Sequence, residues 1–160
     1  MVETIKVGIS DYKISTSPNI LMTLGLGSCV GIAIYDTIHK VGGLSHILLP
    51  DSSSFTRNIK DEKFANLAIP KMVKEMKKRY TNMNLIAKIA GGASMFEFNI
   101  NGSENGIGEQ NIVAVKRILD SLDIPLVSSH TGGNSGRTMI VDLSDFKVTI
   151  RCANSEIIII

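Results

Sequence analysis

The residues best suited to chemistry fall within one stretch, 23–50, TLGLGSCVGIAIYDTIHKVGGLSHILLP. Cys29, one of two cysteines in the chain, follows a glycine-rich run directly, and His46 lies on what reads as the return arm of a hairpin. A thiol becomes a strong nucleophile once a base or a positive field takes its proton. An imidazole can take that proton and later return one to a leaving amine. The backbone around Gly27 and Ser28 could offer N–H groups to a developing oxyanion, because glycine permits close approach and unusual φ values. Such a set suits attack on an ester or amide carbonyl. A cysteine is more often a small buried residue than a nucleophile, so the pairing alone leaves a catalytic couple and a packed core about equally open.

Strand parity decides whether the two side chains can meet. Residues 29–35 alternate: Val30, Ile32 and Ile34 read as core, and Cys29, Gly31, Ala33 and Tyr35 lie on the opposite face. Gly31 and Ala33 would give Cys29 an uncrowded floor, open to substrate or to close packing by a second sheet. On the return strand, 41–49, His46 shares a face with Leu44 and Leu48. A turn centred between Thr37 and Ile38 sets Cys29 opposite His46. A turn centred one residue later sets it opposite Leu48, with His46 on the diagonal. Either register keeps both side chains on one face, about 5 to 7 Å apart at Cβ. A third group should hold the imidazole in its working tautomer. Asp36 is near the turn, and the Thr23 hydroxyl stands just before the glycines.

The rest of the chain must supply the frame. Residues 3–9 alternate as a half-buried strand, Tyr12 and Ile14 suggest a short second one, and 20–24 run apolar into the glycines. Residues 51–61 form a polar loop, long for a compact domain. A helix is expected from Asp61 on, with Phe64, Leu67, Ala68, Met72, Val73 and Met76 on one face and Pro70 kinking or splitting it. A second helix is expected over 109–122, with Ile112, Val115, Ile118, Leu119 and Leu122 inward. Further strands are expected at 85–90, 125–130, 137–143 and 146–152, and the tail of four isoleucines is either a last paired strand or an exposed edge. Many strands with two helices set between them indicate an α+β fold with a helical layer over sheet.

Composition limits the function classes. The chain has 160 residues, 44% apolar and 20% charged, with a net charge of +2. That suits one soluble domain, 1–160, and gives no electrostatic case for nucleic acid or a polybasic membrane anchor. No apolar run approaches a membrane span, and 1–10 lack a secretion-signal pattern. Two cysteines make no disulfide scaffold, so a cytoplasmic location is expected. Cys152 reads as inert core, His39 as solvated near the hairpin tip, and His130 as a residue that could line a pocket. A zinc site from Cys29, His46, His130 and Cys152 lacks the paired short spacing of structural zinc sites. The segment TGGNSGR, 131–137, could cradle an anion with backbone N–H groups and Arg137, although tight strand connection is the simpler reading.

The run GLGSC, then IYD, GGLSHILLP, AIP at 68–70, GGASMF at 91–96, IGEQN at 107–111 and TGGNSGR at 131–137 resembles the chemoreceptor glutamine deamidase CheD family, in order along nearly the whole chain. The resemblance implies a layered α/β/β sandwich of mixed β-sheets like that of toxin-type cysteine deamidase domains. It implies a catalytic set on Cys29, His46 and Thr23, with no metal or organic cofactor. The implied reaction turns selected glutamines on the cytoplasmic helices of methyl-accepting chemoreceptors into glutamate, through a γ-glutamyl thioester. It also implies binding to CheC, a phosphatase acting on the phosphorylated response regulator, by a chain expected to be monomeric. Met95, Phe96 and Phe98 beside glycines are one candidate for that surface. The alternative is a non-catalytic binding module that regulates CheC.

Overall fold

The computed structural model describes residues 1–94 and 106–160. Met95, Phe96 and Phe98, the partner-surface candidates, lie outside the described residues.

The described chain forms ten strands, two α-helices and one 3₁₀ turn. In order these are β1 (Thr4–Val7), β2 (Asp11–Thr16), β3 (Ile20–Leu26), β4 (Val30–Asp36), β5 (Val41–Ile47), the 3₁₀ turn (Asp61–Lys63), α1 (Ala65–Lys77), β6 (Leu85–Gly91), α2 (Ile107–Ser121), β7 (Leu126–Thr131), β8 (Arg137–Asp142), β9 (Val148–Cys152) and β10 (Ile157–Ile159). They build two mixed five-stranded sheets, ordered β1-β3-β8-β9-β10 and β2-β5-β4-β6-β7.

The alternation read in β4 separates two cores. Val30, Ile32 and Ile34 pack with Ala68, Ile69, Met72 and Met76 of α1 and Ile112, Val115 and Leu119 of α2. Cys29, Ala33 and Tyr35 face the other sheet, among Leu21, Leu26, Met139, Val141 and Ile150. The second sheet therefore lies between a helical layer and the first sheet, an α/β/β arrangement. With both faces covered, every residue of β4 and β5 is buried. A side chain on the inner face of β5 is thus shielded from water by a whole sheet.

Several expectations change in detail. α1 starts at Ala65 after the 3₁₀ turn and runs unbroken through Pro70; the missing N–H removes one helical bond without ending the helix. α2 begins at Ile107, two residues early, with Gly108 inside its first turn. The isoleucine tail pairs antiparallel with β9. Lys88 secures it, its Nζ donating to the main-chain oxygens of Phe146 (2.7 Å) and Ile160 (2.8 Å). His39 is packed rather than solvated. Its Nδ1 lies 2.5 Å from Asp36 Oδ2 and its ring stacks on Tyr80. Asp36 also accepts N–H bonds from Ile38, His39 and Asn84, so it is spent on closing the hairpin.

Candidate functional site

The β4–β5 hairpin takes the second of its two possible registers. Val30 pairs with Ile47 and Gly31 with His46, so Cys29, immediately before β4, is diagonal to His46. Both residues are on the face turned toward the first sheet. Gly31 gives that face little open floor: a Cβ there would come within 2.8 Å of Met139 Sδ and 3.2 Å of a Leu26 methyl. Its smallness serves close sheet packing, the simpler of the two readings.

Thr23 reaches the histidine from the other layer. It lies on β3, beside Val7 of β1 in the parallel ladder. Its hydroxyl donates to Val7 O (2.7 Å) and is 2.7 Å from His46 Nδ1. A threonine hydroxyl has one proton. With that proton on Val7 O, the contact to His46 must be an Nδ1–H donated to Thr23 Oγ1. The imidazole is thereby held in the tautomer whose Nε2 carries the lone pair. Nε2 is buried and has no partner among the described residues.

Burial sets the charge states. His46 is fully buried, and desolvation lowers its pKa to about 4. Cys29 is 6% exposed, and desolvation raises its thiol pKa, partly offset by its own backbone N–H. At neutral pH the two are a neutral thiol and a neutral imidazole. A neutral thiol needs a base to become a nucleophile, and a neutral imidazole with a free ring nitrogen is a group that can take its proton.

The loop bearing Cys29 is held by its carbonyls. Three consecutive ones are bound: Ala93 N–H donates to Gly27 O (2.8 Å), Asn111 Nδ2 to Ser28 O (2.9 Å) and Gly92 N–H to Cys29 O (2.8 Å). Glycines make this approach possible. Gly91 has φ +112°, and a Cβ on it would lie 2.2 Å from Cys29 O. Gly27 N–H is itself engaged, donating to Gly25 O (3.1 Å), whereas Ser28 and Cys29 N–H have no backbone acceptor among the described residues.

Asn111 is the residue that strand parity did not single out. It is fully buried on α2 and also donates to Leu48 O (3.1 Å). The available signal was a polar residue on an otherwise apolar stripe, one turn before Val115. His130 and Cys152 lie elsewhere, lining a cleft of about 190 Å³ with Arg137, and Cys152 is part-exposed there rather than core. Arg137 is buried and donates to the carbonyls of Ser135, His130 and Gly132. Its guanidinium staples the TGGNSG loop, in keeping with the structural reading of that segment. Among the described residues no three His, Cys, Asp or Glu side chains are grouped as a metal site, and no helix is long and apolar enough to cross a membrane.

Known proteins are similar to this chain over most of its length. A family model described as CheD chemotactic sensory transduction matches residues 48–152. A protein of Clostridium kluyveri named probable chemoreceptor glutamine deamidase CheD is 52% identical over 152 residues, covering 94% of this chain and 93% of its own. Proteins of the same name are 50% identical in Clostridium acetobutylicum, covering 94% and 91%, and in Clostridium botulinum, covering 96% of each. With a family model spanning most of the chain and relatives at half identity over nearly all of it, the chain belongs to the CheD family of chemotactic sensory transduction proteins.

Proposed function

We propose that this protein is a protein-glutamine deamidase of the chemotaxis system, acting on chemoreceptor glutamines in the cytoplasm, with Cys29 as nucleophile, His46 as base and Thr23 as the group that orients His46. The observation that carries this reading is the Thr23–His46 bond, which leaves on the face His46 shares with Cys29 a buried Nε2 lone pair with no partner among the described residues. The relatives' printed name supplies the substrate class.

The steps balance without a cofactor. Sγ attacks the side-chain carboxamide carbon as its proton passes to His46 Nε2. The carbonyl π electrons move onto oxygen, and the Ser28 and Cys29 N–H groups can donate hydrogen bonds to that oxyanion. The C–N bond then breaks as His46 returns the proton, and ammonia leaves a γ-glutamyl thioester on Cys29. Water, deprotonated by Nε2, attacks the thioester, and Sγ leaves and regains a proton. The product is glutamate on the receptor. Because both resting partners are neutral, no charge is buried before substrate arrives.

The second role is binding to the CheC phosphatase by a monomer. The competing reading is a module that only binds CheC. Ammonia release from purified receptor cytoplasmic fragments tests between them. The deamidase reading expects release by the wild type, none by Cys29→Ala and a large loss with His46→Ala. Equal release by wild type and Cys29→Ala would reject it. Free glutamine in place of the fragment shows whether the amino acid alone is a substrate.

A further inference from the structure

Ser28 O and Cys29 N–H belong to one peptide unit. A trans peptide is planar, and its C=O and N–H point to opposite sides. Whatever fixes the Ser28 carbonyl therefore aims the Cys29 N–H. The carbonyls on either side, of Gly27 and Cys29, are held by backbone N–H groups of 92–93, but Ser28 O is held by a side chain, Asn111. The same Nδ2 donates its other proton to Leu48 O, two residues beyond His46. One amide group thus links the peptide in front of the thiol to the residue just past the strand that carries the imidazole.

The orientation of that amide is forced. Rotated by half a turn, Oδ1 would face two carbonyl oxygens. As placed, Oδ1 is buried with no donor among the described residues, so an acceptor is left unsatisfied while both donors are in place. An aspartate would lose the donors, and an apolar residue would leave both carbonyls open. The helix is seated to match. Gly108 has its Cα face against Ala93 O and Gly92 O, where a Cβ would approach within 2.4 and 2.6 Å. That contact seats the first turn of α2 against residues 92–93, whose N–H groups hold the carbonyls of Cys29 and Gly27.

We infer that Asn111 is a positioning residue for the proposed reaction: it aims and polarises the Cys29 N–H as an oxyanion donor. A hydrogen bond to the carbonyl of a peptide strengthens its N–H as a donor, and the donor must point where the oxyanion will form, not where the ground-state oxygen lies. This rests on Cys29 acting as nucleophile, and the test separates the two claims. Attack on an amide builds an oxyanion, whereas alkylation of the same thiol by iodoacetamide does not.

The experiment compares wild type and Asn111→Ala in two reactions, kcat and KM for ammonia release from receptor fragments and the rate of Cys29 alkylation, read by peptide mass so that Cys152 does not interfere. The expected result is a kcat lowered on the order of 10²-fold, with KM and the alkylation rate within about threefold of wild type. If the alanine variant does not fold, Asn111→Ser is measured, whose single hydroxyl proton can serve at most one of the two carbonyls, and a loss of kcat alone, no larger than that of alanine, is expected. A parallel fall in both reactions, or an unaltered kcat in a folded variant, overturns the inference. Ammonia release that persists in Cys29→Ala would instead defeat the nucleophile reading on which it rests.

Discussion

Thr23 and His46 come from different sheets and meet through a 2.7 Å bond between Oγ1 and Nδ1. The direction of that bond follows from the second one Thr23 makes, to Val7 O. The threonine acts as a tautomer lock whose own proton is fixed by the β1 backbone.

Thr23→Val should therefore damage turnover far more than folding. It removes the acceptor for Nδ1–H, and the ring can then rest in the tautomer that protonates Nε2. The expected loss in kcat is on the order of 10²-fold. Thr23→Ser retains the hydroxyl and should keep most of the activity. Ammonia release from receptor fragments measures both, and equal activity of the valine variant would remove Thr23 from the account.

The acid limb of the pH profile should lie low. His46, pushed down to about 4 by burial, is neutral over the whole range above that value. kcat/KM should hold from about pH 5 upward and fall only as pH approaches about 4, with the alkaline limb set by the raised Cys29 thiol. The apparent values belong to the pair. An acid limb at the ordinary histidine value would contradict the buried, neutral resting state.

Stability should also fall with acid. Between pH 6.5 and about 4 the unfolded chain binds a proton at residue 46 that the folded chain refuses, so unfolding gains favour as pH drops. The loss by pH 5 is about 2 kcal/mol. Urea unfolding at pH 7 and pH 5 measures it. His46→Asn should reduce the difference by about that amount, and an unreduced difference would assign the effect elsewhere.

Two glycines should respond differently to alanine. At Gly31 the nearest obstacle is the flexible Met139 thioether, so Gly31→Ala should cost about 1–3 kcal/mol and keep the hairpin. At Gly91 the obstacle is the Cys29 carbonyl and φ is positive, so nothing can yield without moving the Cys29 backbone. Gly91→Ala should cost about 2–4 kcal/mol and abolish ammonia release even where the protein still folds. A fully active Gly91→Ala variant would show that the Cys29 loop tolerates displacement.

Lys88 supports the first sheet from the second. Its ammonium is partly buried, lowered in pKa by that burial, and spent on two main-chain oxygens. Lys88→Met should lower stability by about 2–3 kcal/mol while leaving receptor deamidation per folded molecule unaltered. A thermal melt beside the activity assay separates the two.

The sequence carries the hairpin well, because alternation in 30–36 and 41–47 is visible residue by residue and sorts Cys29 and His46 onto one face. It leaves the register open, since neither candidate turn contains a glycine pair to force it; Asp36 and the positive φ of Lys40 decide it in three dimensions. Spacing offers Thr23 only as a nearby hydroxyl, and the resemblance alone implies a role for it, because its contact with His46 exists only once two sheets are stacked. Asn111 escaped for a related reason. Its two acceptors are carbonyls, which every residue has, and so no spacing of side chains announces them. The floor at Gly31 shows the reverse limit: small residues read alike whether they admit a substrate or a second sheet.

The proposed reaction passes through acylation of Cys29 by a receptor glutamine. The most direct measurement is the intact mass of enzyme quenched in acid during turnover of a glutamine-containing receptor peptide. An adduct equal to the peptide less one ammonia is expected, located on Cys29, released by hydroxylamine, and absent from Cys29→Ala. Turnover that proceeds with no such adduct, and that continues in Cys29→Ala, would contradict it.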